Sequence, residues 1–75
     1  MEVAYILIKT VFGKLKLVSS KLQSYEEVDE IHEIYGRYDI IIKIVVEDRN
    51  ELKKFMQNKL LILEGISSSE SLVVS

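Results

Sequence analysis

Residues 39–47 read Asp-Ile-Ile-Ile-Lys-Ile-Val-Val-Glu, and this stretch decides the fold. Ile40, Ile41, Ile42, Ile44, Val45 and Val46 are β-branched. Gly36 stands ahead of the run, and Asp48 and Asn50 follow it. A run this short, bounded by turn-forming residues, predicts a strand rather than a helix. Its second property is a lack of alternation. Ile40, Ile42, Ile44 and Val46 point to one face and Ile41 and Val45 to the other, with Lys43 between them. An antiparallel strand with one wet face should alternate apolar with polar, and this one does not. Val3 to Thr10 has the same character, with Ala4, Ile6 and Ile8 set against Val3, Tyr5 and Leu7.

The remaining elements follow outward from these two strands. Gly13 ends the first run. From Lys14 to Leu22, Leu15, Val18 and Leu22 recur at helical spacing. The acidic stretch Glu26 to Glu30 leads into a second, more polar strand over Ile31 to Tyr35, and Gly36-Arg37-Tyr38 turns the chain into the 39–47 run. Asp48 or Asn50 can cap the next helix, with Glu51 in its first turn. Leu52, Phe55, Met56, Leu60 and Leu63 form that helix's apolar stripe, and Gly65 is the expected stop. Residues 66–74 end the chain as a strand. The order β-α-β-β-α-β, with one tight strand-to-strand turn and two longer crossovers, predicts an α+β ferredoxin-like plait in a single domain over residues 1–75. It is a four-stranded antiparallel sheet with both helices on one face. Right-handed crossovers give the strand order 4-1-3-2.

Two helices cover one face of such a sheet, yet both faces of the central strands are apolar. Val3, Tyr5, Leu7, Ile41 and Val45, or the complementary set, would leave an apolar patch that soluble monomers rarely tolerate. Face-to-face packing of two sheets across a two-fold axis removes it, so the sequence predicts a homodimer.

Composition narrows the function. The chain has 75 residues, no cysteine, no proline and one histidine, so the usual staples of small domains are missing. Ten basic and twelve acidic residues give a net charge of −2, which offers no electrostatic footprint for nucleic acid. No apolar run reaches the ~18–20 residues that span a bilayer, so no membrane role and a cytoplasmic location are expected. No enzyme is expected either. His32 has no nucleophile–base arrangement around it, phosphate-loop spacing is absent, and the acidic run from Glu26 to Glu33 lacks calcium-loop spacing. Neither a metal nor a cofactor is expected.

Two local features remain. In Tyr35-Gly36-Arg37-Tyr38-Asp39, Asp39 stands at the mouth of an apolar strand, either as a turn-capping carboxylate or as an anion placed for an ammonium group. In Ser67-Ser68-Ser69-Glu70-Ser71, Ser67, Ser69 and Ser71 would share one face, either as a polar edge or as hydroxyl donors. A carboxylate for an amine and neutral donors for a carboxylate are what a free amino acid needs.

These residues carry a resemblance. Tyr35-Gly36-Arg37-Tyr38-Asp39 before an aliphatic strand is similar to the Gly-x-[Tyr/Phe]-Asp turn of the RAM (regulation of amino-acid metabolism) domain of Lrp/AsnC transcription regulators. The segment from Gly65 to Val74 resembles that family's Gly-Val-x-x-Thr-x-Thr ending, with Ser69 and Ser71 where threonines are usual. The resemblance spans essentially the whole chain and implies the same plait, paired sheet to sheet. It also implies dimers assembled into octamers or decamers, with an amino-acid effector bound between dimers. Carried over by position, Gly36, Arg37 and Tyr38 would line the effector's carboxylate side, Asp39 would take its ammonium, and Ser69 and Ser71 would contribute hydroxyls. A full regulator of that family carries a helix-turn-helix ahead of this point, whereas this sequence begins at the first strand, so the expectation is either a stand-alone effector-binding and oligomerisation module, which Met1 favours, or an excised fragment; the stand-alone module would act by mixing into the rings of full-length regulators. The alternative is a dimeric plait of the antibiotic-biosynthesis-monooxygenase type, or a purely structural assembly module.

Overall fold

A computed structural model describes residues 1–74. The chain runs β1 (Glu2–Thr10), α1 (Leu15–Gln23), β2 (Val28–Glu33), β3 (Ile40–Val46), α2 (Arg49–Phe55), a π-helical turn (Met56–Leu60) and β4 (Ile66–Val74). The four strands form one antiparallel sheet in the order β2-β3-β1-β4, the expected plait. Ile6 lies opposite Ile42 on one side and Ser71 on the other, so β1 and β3 are the inner strands.

The helices settle which face of those strands is the inside. Ala4, Ile6, Ile8, Ile40, Ile42, Ile44 and Val46 are buried with Val18 and Leu22 of α1, Leu52 and Phe55 of α2, and Leu60. On the other face Val3, Tyr5, Leu7, Ile41 and Val45 are only partly covered. The tyrosine at the end of α1 extends the core, its ring meeting Phe55 edge-on with centroids 5.8 Å apart. Lys59 then bonds both Glu27 oxygens at 2.8 Å and lies over the Tyr25 ring. Burial raises the Glu27 pKa, but the Lys59 hydrogen bonds and charge outweigh it and hold the carboxyl below its usual range.

Three local expectations need correction. The second strand begins at Val28 and ends at Glu33, not at Tyr35. Val28 faces Ile44 and Ile31 faces Ile42, although three residues should place them on opposite faces; an irregularity between Val28 and Glu30 absorbs the extra residue. That bulge hides the alternation in the sequence.

The second helix does not run to Gly65. Asp48 caps it, its Oδ1 accepting from the Glu51 N–H at 2.9 Å, and it closes on the π turn, where the Leu61 N–H donates to the Met56 carbonyl. Leu60 is five positions after Phe55, too far around a regular α-helix to share its buried side; the wider turn brings both into the core. Gly65 serves another purpose. Its φ is +102°, and a Cβ there would stand 2.8 Å from Val18 Cγ2, so only glycine lets the chain pass α1 on its way into β4.

The third correction concerns the serines. The register of β4 against β1 slips between Ser68 and Ile66, leaving Ser67 without a partner, so only Ser69 and Ser71 share a face.

Candidate functional site

The turn between β2 and β3 is built by its backbone first. The Ile34 N–H donates to the Asp39 carbonyl at 2.9 Å, and the Asp39 N–H donates to the Ile8 carbonyl at 2.9 Å, anchoring the turn to the inner strand. Gly36 has φ +125° with open space where a Cβ would sit, so its role is conformational. Arg37 is exposed and makes no ion pair among the described residues.

Asp39 is the fixed point of the turn. Its Oδ2 accepts from both the Thr10 N–H and the Thr10 hydroxyl, each at 2.9 Å, while Lys9 Nζ stands 3.6 Å from Oδ1. The Thr10 backbone and hydroxyl hydrogen bonds, with the Lys9 charge behind them, hold the carboxyl below the usual carboxylate range. Tyr38 crosses toward β4 and donates its hydroxyl to Glu70 Oε1 at 3.1 Å; that bond pushes the phenol pKa up.

Gly36, Arg37, Tyr38 and Asp39 therefore gather at one end of the sheet. Ser69 is the nearer of the two serines. It flanks Ile8 on the side opposite Ile40, which puts the strands carrying Ser69 and the turn about 10 Å apart, two strand spacings. Ser71 is not brought to the turn: it lies opposite Ile6, and its hydroxyl is 3.8 Å from Met56 Sδ.

Sequence reasoning missed Thr10, Lys9 and Glu70. A signal for Thr10 was present, since Ala4, Ile6, Ile8 and Thr10 share a face and only the last carries a polar side chain. It is 8% exposed, and its hydroxyl has the Asp39 carboxylate to bond. Lys9 and Glu70 gave no such signal.

The turn is an open platform. Two surface clefts lie elsewhere, and neither includes residues 36–39. One, about 580 Å³, is lined by Met1, Val45, Val46 and the acids Glu26, Glu27, Glu47, Asp48 and Glu51. The other, about 330 Å³, lies between α2 and β4 beside Met56 and Ser71. No group of acids and histidines is arranged to hold a metal among the described residues, and no described helix is long and apolar enough to cross a membrane.

The plait thus presents a partly covered apolar sheet face and a charged turn. Comparison makes this specific. The family model for the Lrp/AsnC ligand binding domain matches residues 3–75, and the chain belongs to that family. The HTH-type transcriptional regulator FL11 of Pyrococcus furiosus is 37% identical over 71 residues, covering 95% of this chain and 46% of the relative. The chain thus spans about half the length of the curated relatives it matches. Among solved structures, FFRP-DM1 superposes with a TM-score of 0.97 at 31% identity over the full length of both chains. A transcriptional regulator from Neisseria meningitidis, solved as a complex with L-Met, shares the fold with a TM-score of 0.88 at 18% identity, over 99% of this chain and 49% of that one. Relatives that are transcriptional regulators, matched through a ligand-binding domain, point away from an enzyme.

Proposed function

We propose that this chain is a cytoplasmic amino-acid-sensing module that assembles through its sheet and binds a free amino acid at the turn around Asp39. The observation that carries the reading is the Asp39 carboxylate itself. Thr10 holds it ionised and oriented through one oxygen, at an exposed glycine turn, with Arg37, which has no ion pair among the described residues, two residues away. Asp39 takes the ammonium, and the Gly36 backbone, Arg37 and Tyr38 face the carboxylate. Ser69 adds a hydroxyl at the margin, while Ser71 faces the cleft beside Met56 and is assigned no contact. The L-Met complex of the Neisseria relative supports an amino acid as the ligand class.

Assembly follows from exposure. Val3, Tyr5, Leu7, Ile41 and Val45, continued on β4 by Leu72 and Val74, give the sheet an apolar outer face suited to a second copy. Tyr35, at the start of the turn, and Phe12, two residues beyond Thr10, are fully exposed. Rings closed there, octamers or decamers of paired sheets, would cover both aromatics and turn the open platform into a pocket between dimers. Mixing into the rings of full-length Lrp/AsnC regulators would then transmit the effector signal to DNA.

The test is the unfolding midpoint of the protein against each proteinogenic L-amino acid. A ligand present at ~100 times its Kd adds about 2.7 kcal/mol through linkage. A selective rise with one or two amino acids, abolished by Asp39→Asn, is expected. A flat response across the panel would overturn the sensing role.

A further inference from the structure

We infer that Lys9 is a built-in competitor for the ligand's ammonium group, holding in the free protein the one Asp39 oxygen that a ligand can reach. This inference rests on the amino-acid reading above and adds a residue that sets its affinity. The two Asp39 oxygens are not equivalent. Oδ2 is committed to the backbone and hydroxyl of Thr10, a nearly buried residue. Oδ1 has Lys9 Nζ as its neighbour at 3.6 Å. Charge-assisted hydrogen bonds run at about 2.7–2.9 Å, so this contact is an ion pair without a full hydrogen bond. A second pair in the molecule shows the contrast: Lys59 bonds both Glu27 oxygens at 2.8 Å.

The loose pair is also open to solvent. The Lys9 side chain is 44% exposed and the Asp39 side chain 27%. Lys9 has no other acidic partner within salt-bridge distance among the described residues. An incoming α-ammonium can therefore replace the lysine ammonium at Oδ1 while Oδ2 keeps its bonds to Thr10, and the displaced side chain turns to water. One cation exchanges for another, so the charge at the carboxylate stays balanced. Binding is weakened in proportion to the time Lys9 spends at Oδ1, as for any site whose competent state is partly populated. A ligand without an ammonium group has nothing to exchange there.

The experiment is isothermal titration calorimetry of the wild type, Lys9→Met and Lys9→Arg with each proteinogenic L-amino acid, and with the 2-oxo acid of any that binds. Lys9→Met keeps the apolar stem and removes the charge. Its affinity for the amino acid should rise about two- to fivefold, the range of an exposed ion pair. Lys9→Arg should stay near wild type, and the 2-oxo acid should gain nothing. Equal or weaker binding by Lys9→Met overturns the competitor role and leaves amino-acid sensing standing. No heat with any amino acid, in the wild type and Lys9→Met alike, removes the sensing role and the competitor role with it. A ligand-free measurement tests the contact alone. The Asp39 carboxyl titration followed by NMR should move upward in Lys9→Met, and an unchanged midpoint would show that Lys9 does not hold Oδ1.

Discussion

The two faces of β1 and β3 are nearly the same in chemistry and opposite in fate. On one, Ile6, Ile8, Ile40, Ile42 and Ile44 are at most 1% exposed beneath the helices. On the other, Val3, Tyr5, Leu7, Ile41 and Val45 are left partly open. The first face, with the helix residues packed on it, forms the core of the monomer. The second has the composition of a core without its cover, which argues that the sheet is made to be closed by something outside the monomer. Asp39 is where the faces meet: by alternation it belongs with Ile41, yet its carboxylate reaches round to Thr10, which lies on the covered side.

Substitutions can break this comparison one face at a time. Ile42→Ala on the covered face should cost about 2–5 kcal/mol in urea unfolding. A domain this small is stable by only about 4–11 kcal/mol, so this change alone puts folding at risk. A loss no larger than that of a surface substitution would show that the covered face is not the core. Ile41→Glu, one residue away on the open face, should leave the monomer folded and abolish self-association, read by analytical ultracentrifugation; a variant that still sediments with the wild type would sink the sheet-to-sheet pairing.

A smaller effect is expected where the faces join. Asp39→Asn should destabilise the protein in a pH-dependent way. The Asp39 carboxyl is held below its unfolded value near 4. Its contribution is therefore present above that pH and lost as the pH falls through the lowered folded-state value. Denaturation curves of wild type and variant should differ at neutral pH and converge in acid; a gap that persists in acid would mean the side chain acts through shape instead. The smallest change should come from Lys43→Met, the charge within the open face of β3. Its pairs with Asp29 and Glu30 are both 3.7 Å and partly exposed, so unfolding should move by about 1 kcal/mol or less.

Much of this was legible along the chain. The β-branched runs of β1 and β3, the helical spacing of Val18 and Leu22, a helix cap at Asp48 or Asn50 and the span of β4 all depend on neighbours in sequence, and the structure reproduces them with Asp48 as the cap. The readings that failed depend on one inserted residue. The extra residue of β2 between Val28 and Glu30 hid that strand's start, the slip at Ser67 broke the serine face, and the π turn ended α2 short of Gly65. Each is a phase shift that a partner strand or the core tolerates and that a fixed period cannot reveal.

The candidate site divides along the same line. Its turn residues are contiguous, so Gly36 to Asp39 could be found from the sequence. Thr10, Lys9 and Glu70 lie 29, 30 and 31 positions from Asp39 and are neighbours only because β1 separates β3 from β4.

By itself the sequence determined the element order, the strand pairing implied by it, and the presence of two apolar sheet faces, because local periodicity and turn chemistry set these. Only the tertiary structure decided which of the two faces is buried and which oxygen of Asp39 is bonded by Thr10. Both depend on what packs across the sheet, the helices in one case and Thr10 in the other, and a side chain's identity does not specify its distant neighbours.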